Sequence, residues 1–262
     1  MSKVGSVEKQ IYELREKSPL IIPQIDPDKQ SLDKSIVLLK KLESMGVQHI
    51  AVGSSLVDPA SIQSLFDVII KDFDFTFTTY ISNTSSFLLK GKEGRSAIYW
   101  ASVFNASNMF FLRDSLIMGA PLIKSDCLEP IPTAYVFDER DSRGTANWLT
   151  QANSIPADKP EISLSTALAC QYLGMRFYIM AGGSGSLLPP PASHVKLICK
   201  KADLFVIPTS GVRSASHVNE LLLAGADAIH VGSMIESDSG LKIFSNIFKM
   251  SKKFPGKKIS LS

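Results

Sequence analysis

Eight short apolar runs recur along the chain, each closed by a small or polar residue. LIIPQID ends at Asp26, HIAVGSS at Ser55, FTFTTYIS at Ser82 and AIYWASVFN at Asn105. PIPTAYVFD ends at Asp138, RFYIMAGG at Gly183, LFVIPTS at Ser210 and AIHVGS at Ser233. They are rich in Val, Ile, Phe, Tyr and Thr and, FTFTTYIS aside, continuous rather than alternating, the pattern of strands buried on both faces of a parallel sheet. Between most of them the apolar positions follow the helical period. SLDKSIVLLKKLESMG carries Ser31 as an N-cap and Gly46 as a stop, and ASIQSLFDVIIKDF, HVNELLLAGA and GLKIFSNIFKMSKKF repeat the pattern. Strands alternating with helices give a closed barrel or a doubly wound sheet. The count of eight, and the lack of G-x-G-x-x-G after the first strand, select an α/β (β/α)8 TIM barrel.

Length agrees: 262 residues suit one barrel domain spanning 1–262. With 45% hydrophobic residues the chain buries a sizeable core, and no apolar run approaches the roughly 20 residues that span a bilayer. The N-terminus lacks the apolar stretch of a secretory signal. The expectation is a cytoplasmic protein without stable membrane insertion. Cys127, Cys170 and Cys199 are scattered, as small core residues in a reducing compartment are. A net charge of +3 is too slight to imply nucleic acid, and the basic KMSKKFPGKK reads as a solvated helix end.

In a barrel the strand C-termini share one mouth, so the polar residues there are the site candidates. Gly182-Gly183-Ser184-Gly185, Thr209-Ser210-Gly211 and Gly232-Ser233 close strands six, seven and eight. Such turns expose backbone N–H groups that bind phosphate, a ligand group common to many reactions. Asp26-Pro27-Asp28-Lys29 reads equally as a carboxylate pair for Mg²⁺ or as a turn leading into a helix. Residues 139–160 follow strand five and are expected to wall the mouth; SSFLLKGKEGR is a second long connection. His49, His194, His217 and His230 form no constellation, and no nucleophilic triad is visible.

These residues also carry a likeness. Ile25-Asp26-Pro27-Asp28-Lys29, Val52-Gly53-Ser54-Ser55, Glu129-Pro130-Ile131-Pro132-Thr133-Ala134-Tyr135, the string from Ile155 to Glu161, that from Ala169 to Phe177, and Ser210-Gly211-Val212-Arg213-Ser214 stand in order along nearly the whole chain. The sequence resembles the geranylgeranylglyceryl phosphate synthase family of prenyltransferases, which includes the bacterial heptaprenylglyceryl phosphate synthases. The resemblance implies transfer of a farnesyl or geranylgeranyl group from its diphosphate to a hydroxyl of a phosphorylated three-carbon acceptor, forming an ether. It implies Mg²⁺ on Asp26 and Ser55, with Asp26 catalytic, and the acceptor phosphate on Gly182, Gly183, Ser184, Gly185, Ser210, Gly211, Gly232 and Ser233. It also implies an apolar groove for the prenyl chain, for which Trp100, Phe104 and Phe110 are candidates, though aromatics so spaced serve equally as core. A homodimer is expected by the same analogy.

The likeness breaks on strand six. The family's V-Y-L-E-A-G-S-G is Tyr178-Ile179-Met180-Ala181-Gly182-Gly183-Ser184-Gly185 here. Without a gap, the family's Tyr and Glu at the acceptor hydroxyls become Ile179 and Ala181; with a one-residue gap they become Tyr178 and Met180. Neither register leaves a carboxylate. Its triple-glycine turn is Thr209-Ser210-Gly211, and its F-P-G-N is Tyr80-Ile81-Ser82-Asn83. A missing carboxylate favours 3-phosphoglycerate over sn-glycerol 1-phosphate, as for a relative of the family in moenomycin biosynthesis. The alternatives are a non-catalytic phosphate-ligand-binding relative and an isomerase or lyase of a phosphorylated metabolite. Arg213 and Arg176 are the candidate partners for an acceptor carboxylate.

Overall fold

A computed structural model describes residues 3–53, 56, 58–80, 89–125, 127–141 and 144–259. All eight expected strands form: β1 Leu20–Ile25, β2 His49–Val52, β3 Thr76–Tyr80, β4 Ser96–Val103, β5 Glu129–Phe137, β6 Phe177–Ala181, β7 Phe205–Thr209 and β8 Ala228–Val231. They pair in parallel in the order β7-β6-β5-β4-β3-β2-β1-β8, which is the (β/α)8 barrel. Around it lie α2 Leu32–Ser44, α3 Pro59–Asp72, α4 Ser115–Ser125, α6 Pro160–Tyr172, α7 Ala192–Lys201, α8 Ala215–Leu223 and α9 Asp238–Ser251. Ser31 caps α2, as expected, by accepting from the Lys34 N–H.

Strand side chains alternate between two cores. One fills the barrel: Ile22, Ala51, Tyr99, Ile131, Phe177, Ile179, Phe205 and Ile207. The other lies between strands and helices, with Leu39, Leu42, Phe66, Ile69, Tyr178, Met180, Ile198 and Phe244. The sequence pattern did not reveal α1, Ser6–Lys17. Its apolar residues Val7, Ile11 and Tyr12 plug the barrel's lower end, and the Glu129 carboxylate accepts from the N–H groups of Val7 (2.8 Å) and Glu8 (2.9 Å). That capping contact gives the glutamate of E-P-I-P its structural task.

The seam between β7 and β8 is joined by Asp227. Its N–H donates to the Val206 carbonyl (3.0 Å), and its Oδ2 accepts from the Val206 N–H (3.0 Å). Arg15 of α1 (3.1 Å) and Lys257 (3.1 Å) pair with the same fully buried carboxylate. Part of the basic C-terminus, expected to be solvated, therefore packs back onto the barrel. No helix among the described residues is long and apolar enough to cross a membrane.

Candidate functional site

The mouth of the barrel holds a cavity of about 230 Å³. Gln24, Asp26, Asp28 and Lys29 line one side of it, Gly183 to Ser186 and Thr209 to Arg213 line others, and His230, Gly232 and Ser233 belong to β8 and its end. The loop after β5, expected as a wall, contributes Thr145 and Ala146 from a short helix, α5 Thr145–Thr150. Thus the strand-one carboxylates and the three glycine–serine turns, far apart in sequence, share one chamber. Ser55 lies outside the described residues.

The turns present their donors. Among the described residues, none accepts from the backbone N–H groups of Gly183, Ser184, Gly185, Ser210, Gly211, Gly232 and Ser233. N–H groups without an acceptor among the described residues, on turns that line one cavity, with a short 3₁₀ turn at Ser233–Glu236 just after β8, have the chemistry that suits an anion. Ser210 and Gly211 both adopt left-handed backbone, with φ of 66° and 67°. For Ser210 this costs about 1–2 kcal/mol. Gly211 is fixed by space as well, since a Cβ there would sit 1.8 Å from the Leu188 carbonyl oxygen. Gly182 does not line the cavity; it lies beneath Arg140, whose Cδ would be 2.3 Å from a Cβ at that position.

Asp26 is at the rim, its side chain 10% exposed. Its Oδ1 accepts from Gln24 Nε2 (3.1 Å) and its Oδ2 pairs with Lys29 (2.7 Å), which also reaches Glu236 (3.3 Å). Burial pushes the Asp26 pKa above the usual carboxylate range, with Lys29 and Gln24 opposing. His230 forms part of the floor; its ring nitrogens meet the hydroxyls of Tyr80 and Tyr99. Burial, with His49 nearby, lowers its pKa to about 3, so it is a neutral tether for two tyrosines and not a base poised near neutrality.

The two registers of strand six are now distinguished. Ile179 belongs to the barrel interior, whereas Tyr178 and Met180 pack in the outer layer. Ala181, two residues after Ile179 and paired with Phe137 and Thr209, follows the inward phase. Of the two registers, only the ungapped one puts both of its positions, Ile179 and Ala181, on the inward phase; Tyr178 and Met180 of the gapped one pack outward. The Tyr178 hydroxyl is buried without a partner among the described residues. Tyr178→Phe is therefore expected to raise stability by about 1 kcal/mol, seen as a higher Tm, and to leave ligand binding at the mouth unchanged. Weaker ligand binding would place this hydroxyl inside the barrel after all.

Other expectations move. Arg176 pairs with Glu8 of α1 at the lower end of the barrel, remote from the mouth, so it is no partner for an acceptor. Arg213 does line the cavity, its guanidinium donating to the carbonyls of Ser186 (3.2 Å) and Gly185 (3.4 Å). Trp100 and Phe104 pack partly buried against the outer core, and Phe110 lies in the wide π-type turn that opens α4; none of the three lines the cavity. Sequence reasoning named Asp138 only as a strand end and gave neither it nor Arg140 a role. They form a buried bidentate pair (2.7 and 3.0 Å) directly behind the turns. The nearest signal was two opposite charges at a strand end, a pattern that solvated loops share.

Residues 11–250 match the model of the PcrB family. The chain is 34% identical over 245 residues to geranylgeranylglyceryl phosphate synthase of Pyrococcus furiosus, covering 92% of this chain and 94% of that protein. It is 31% identical over 239 residues to the protein of the same name from Nitrosopumilus maritimus, covering 90% and 93%. In fold it is similar to the solved (S)-3-O-geranylgeranylglyceryl phosphate synthase of Thermoplasma acidophilum, a complex with sn-glycerol-1-phosphate, at a TM-score of 0.85 and 24% identity over 97% of this chain and all of that one. By sequence along nearly its whole length, and by an eight-stranded barrel in agreement with it, the chain belongs to the PcrB family.

Proposed function

We propose that the protein transfers a polyprenyl group from its diphosphate to a hydroxyl of a phosphorylated three-carbon acceptor. A C–O bond forms at the allylic carbon, the bond to the diphosphate breaks, and the hydroxyl proton passes to a diphosphate oxygen or to water. The observation that carries this reading is the set of N–H groups without an acceptor among the described residues, on three strand-end turns that line the same cavity as Asp26. They seat the acceptor's phosphate and hold its hydroxyl in line with the allylic carbon. The relatives' shared name supports the same reaction class.

Mg²⁺ suits the donors present. Asp26 and Asp28 offer hard carboxylate oxygens at the cavity, and among the described residues no cluster of three protein ligands forms. One or two carboxylates plus substrate phosphates is the arrangement Mg²⁺ favours. When bound, it supplies neutralisation of the leaving diphosphate. Lys29, bridging Asp26 and Glu236, adds a positive charge at that rim. Trp100, Phe104 and Phe110 are half-buried but lie outside the cavity, so they would meet only a prenyl chain that extends beyond it.

Acceptor choice follows from strand six. An acceptor carboxylate about 4 Å from a wall carboxylate would be repelled by roughly 4 kcal/mol at an effective dielectric near 20. A hydrogen bond from an acceptor hydroxyl to a charged wall group is worth only about 1.5–3 kcal/mol. Ile179 and Ala181 lie on the inward phase of β6, buried and outside the cavity lining, and neither brings a carboxylate, so that repulsion is absent and 3-phosphoglycerate is favoured over sn-glycerol 1-phosphate. The test is kcat/KM for both acceptors in the wild type and in Ala181→Glu. The wild type is expected to prefer 3-phosphoglycerate, and the variant to shift the ratio toward sn-glycerol 1-phosphate by about tenfold or more. A wild type that uses only sn-glycerol 1-phosphate would overturn the acceptor assignment.

A further inference from the structure

The Arg140 side chain is 1% exposed and donates through all three of its nitrogens. Nε and Nη2 grip Asp138, while Nη1 donates to the carbonyls of Leu188 (3.1 Å), Thr209 (3.2 Å) and Ser210 (2.9 Å). One guanidinium thus ties together the segments that follow β5, β6 and β7. The last two contacts have a consequence at the peptide planes. A trans peptide points its N–H opposite to its C=O. With the carbonyls of Thr209 and Ser210 turned onto Arg140, the N–H groups of Ser210 and Gly211 are turned away from it, and neither has an acceptor among the described residues. Ser210, the residue between these two peptide planes, is left-handed, with φ of 66°. Gly182 serves the same device, since any side chain there would collide with Arg140.

We infer that Arg140, braced by Asp138, is the positioning residue of the acceptor-phosphate cradle: it holds two strained peptide planes with their N–H groups toward the phosphate without touching the ligand itself. The inference rests on the phosphate-cradle reading above and deepens it. Electrostatics point the same way, because a cation on the carbonyl side of each peptide polarises its N–H toward an anion on the other side. Asp138 offsets the charge, so the pair can stay buried.

The experiment uses the full chain and measures inorganic phosphate binding by ³¹P NMR, KM for acceptor and for prenyl diphosphate, and Tm. Wild type comes first: if it binds no phosphate, the cradle reading itself fails. If it binds, Arg140→Lys, which keeps a cation beside Asp138 but loses the planar fork, is expected to weaken phosphate binding and raise acceptor KM by about tenfold or more. The KM for prenyl diphosphate and kcat at saturating acceptor should then change by less than about threefold. Unchanged phosphate affinity in the folded variant, or a parallel loss for both substrates, would overturn the inference while leaving the cradle in place. Should Arg140→Lys not fold, Asp138→Asn bears the same test, since it leaves Arg140 present but removes the charge bracing it. There too a selective rise in acceptor KM supports the inference, and no rise refutes it.

Discussion

Asp26→Asn is expected to lower the rate of prenyl transfer on the order of 10³-fold while moving the Tm by no more than a few degrees. The carboxylate stands at the cavity rim beside Asp28 and Lys29, where the diphosphate and its counter-cation are proposed to sit. Losing several kcal/mol of charge stabilisation at the leaving group corresponds to that factor. Stability changes little because two effects oppose. Asn forfeits the ion pair with Lys29, but it also removes a charge whose burial is unfavourable, as the raised pKa of Asp26 records. The same shift fixes the sign of the pH dependence. The reaction needs the ionised carboxylate, so kcat/KM of the wild type falls as pH drops through the raised pKa of Asp26. The acid limb therefore lies above the usual carboxylate range. Asn has no such proton to gain, and its residual rate should lack that limb. A steady-state pH profile of both proteins checks the two statements; an Asp26→Asn enzyme within tenfold of wild type would remove Asp26 from the chemistry.

Asp227→Ala is expected to destabilise the fold by about 3–5 kcal/mol, measured by denaturant unfolding. The carboxylate is fully buried, and its removal leaves Arg15, itself 6% exposed, without its charge partner. It also deletes the acceptor for the Val206 N–H at the β7–β8 seam. The loss reaches beyond one pair. Arg15 also donates to the Pro255 carbonyl (3.1 Å), and Lys257 meets Asp227 from the C-terminal segment, so both ends of the chain are fastened to the seam through this one group. The proposed site is at the opposite end of the barrel, so activity per folded molecule should persist. A change under 1 kcal/mol would mean the seam is held by packing alone.

How much of this was legible in the sequence varies with the physical signal. The strands were legible because a strand covered on both sides is rich in apolar, β-branched and aromatic residues, as these runs are, with only FTFTTYIS alternating. The mouth was legible because parallel strands deliver their ends to one side, so Asp26, Gly183, Ser210 and Ser233 had to converge. That same apolarity hid the phase of β6. All five residues of Phe177–Ala181 are buried, so no alternation separates inward Ile179 from outward Tyr178, and only the two cores resolve it. α1 was hidden for the opposite reason: its buried Val7, Ile11 and Tyr12 stand among lysines and glutamates, a sparse stripe in a polar segment. Arg140 was illegible because its role depends on where three carbonyls from two other segments arrive. Ser210 carries a readable trace of the same device, a serine in a turn where the resemblance leads one to expect glycine.

The most direct test of the central claim is a single reaction. Purified protein is incubated with Mg²⁺ and labelled geranylgeranyl diphosphate, with 3-phosphoglycerate or sn-glycerol 1-phosphate as acceptor, and the lipid product is analysed for a prenyl ether stable to base. The account predicts ether formation that depends on the phosphorylated acceptor, with 3-phosphoglycerate the better of the two. No ether with either acceptor, from protein that still binds phosphate, would contradict it and leave a barrel that holds phosphorylated ligands without joining them to a prenyl chain.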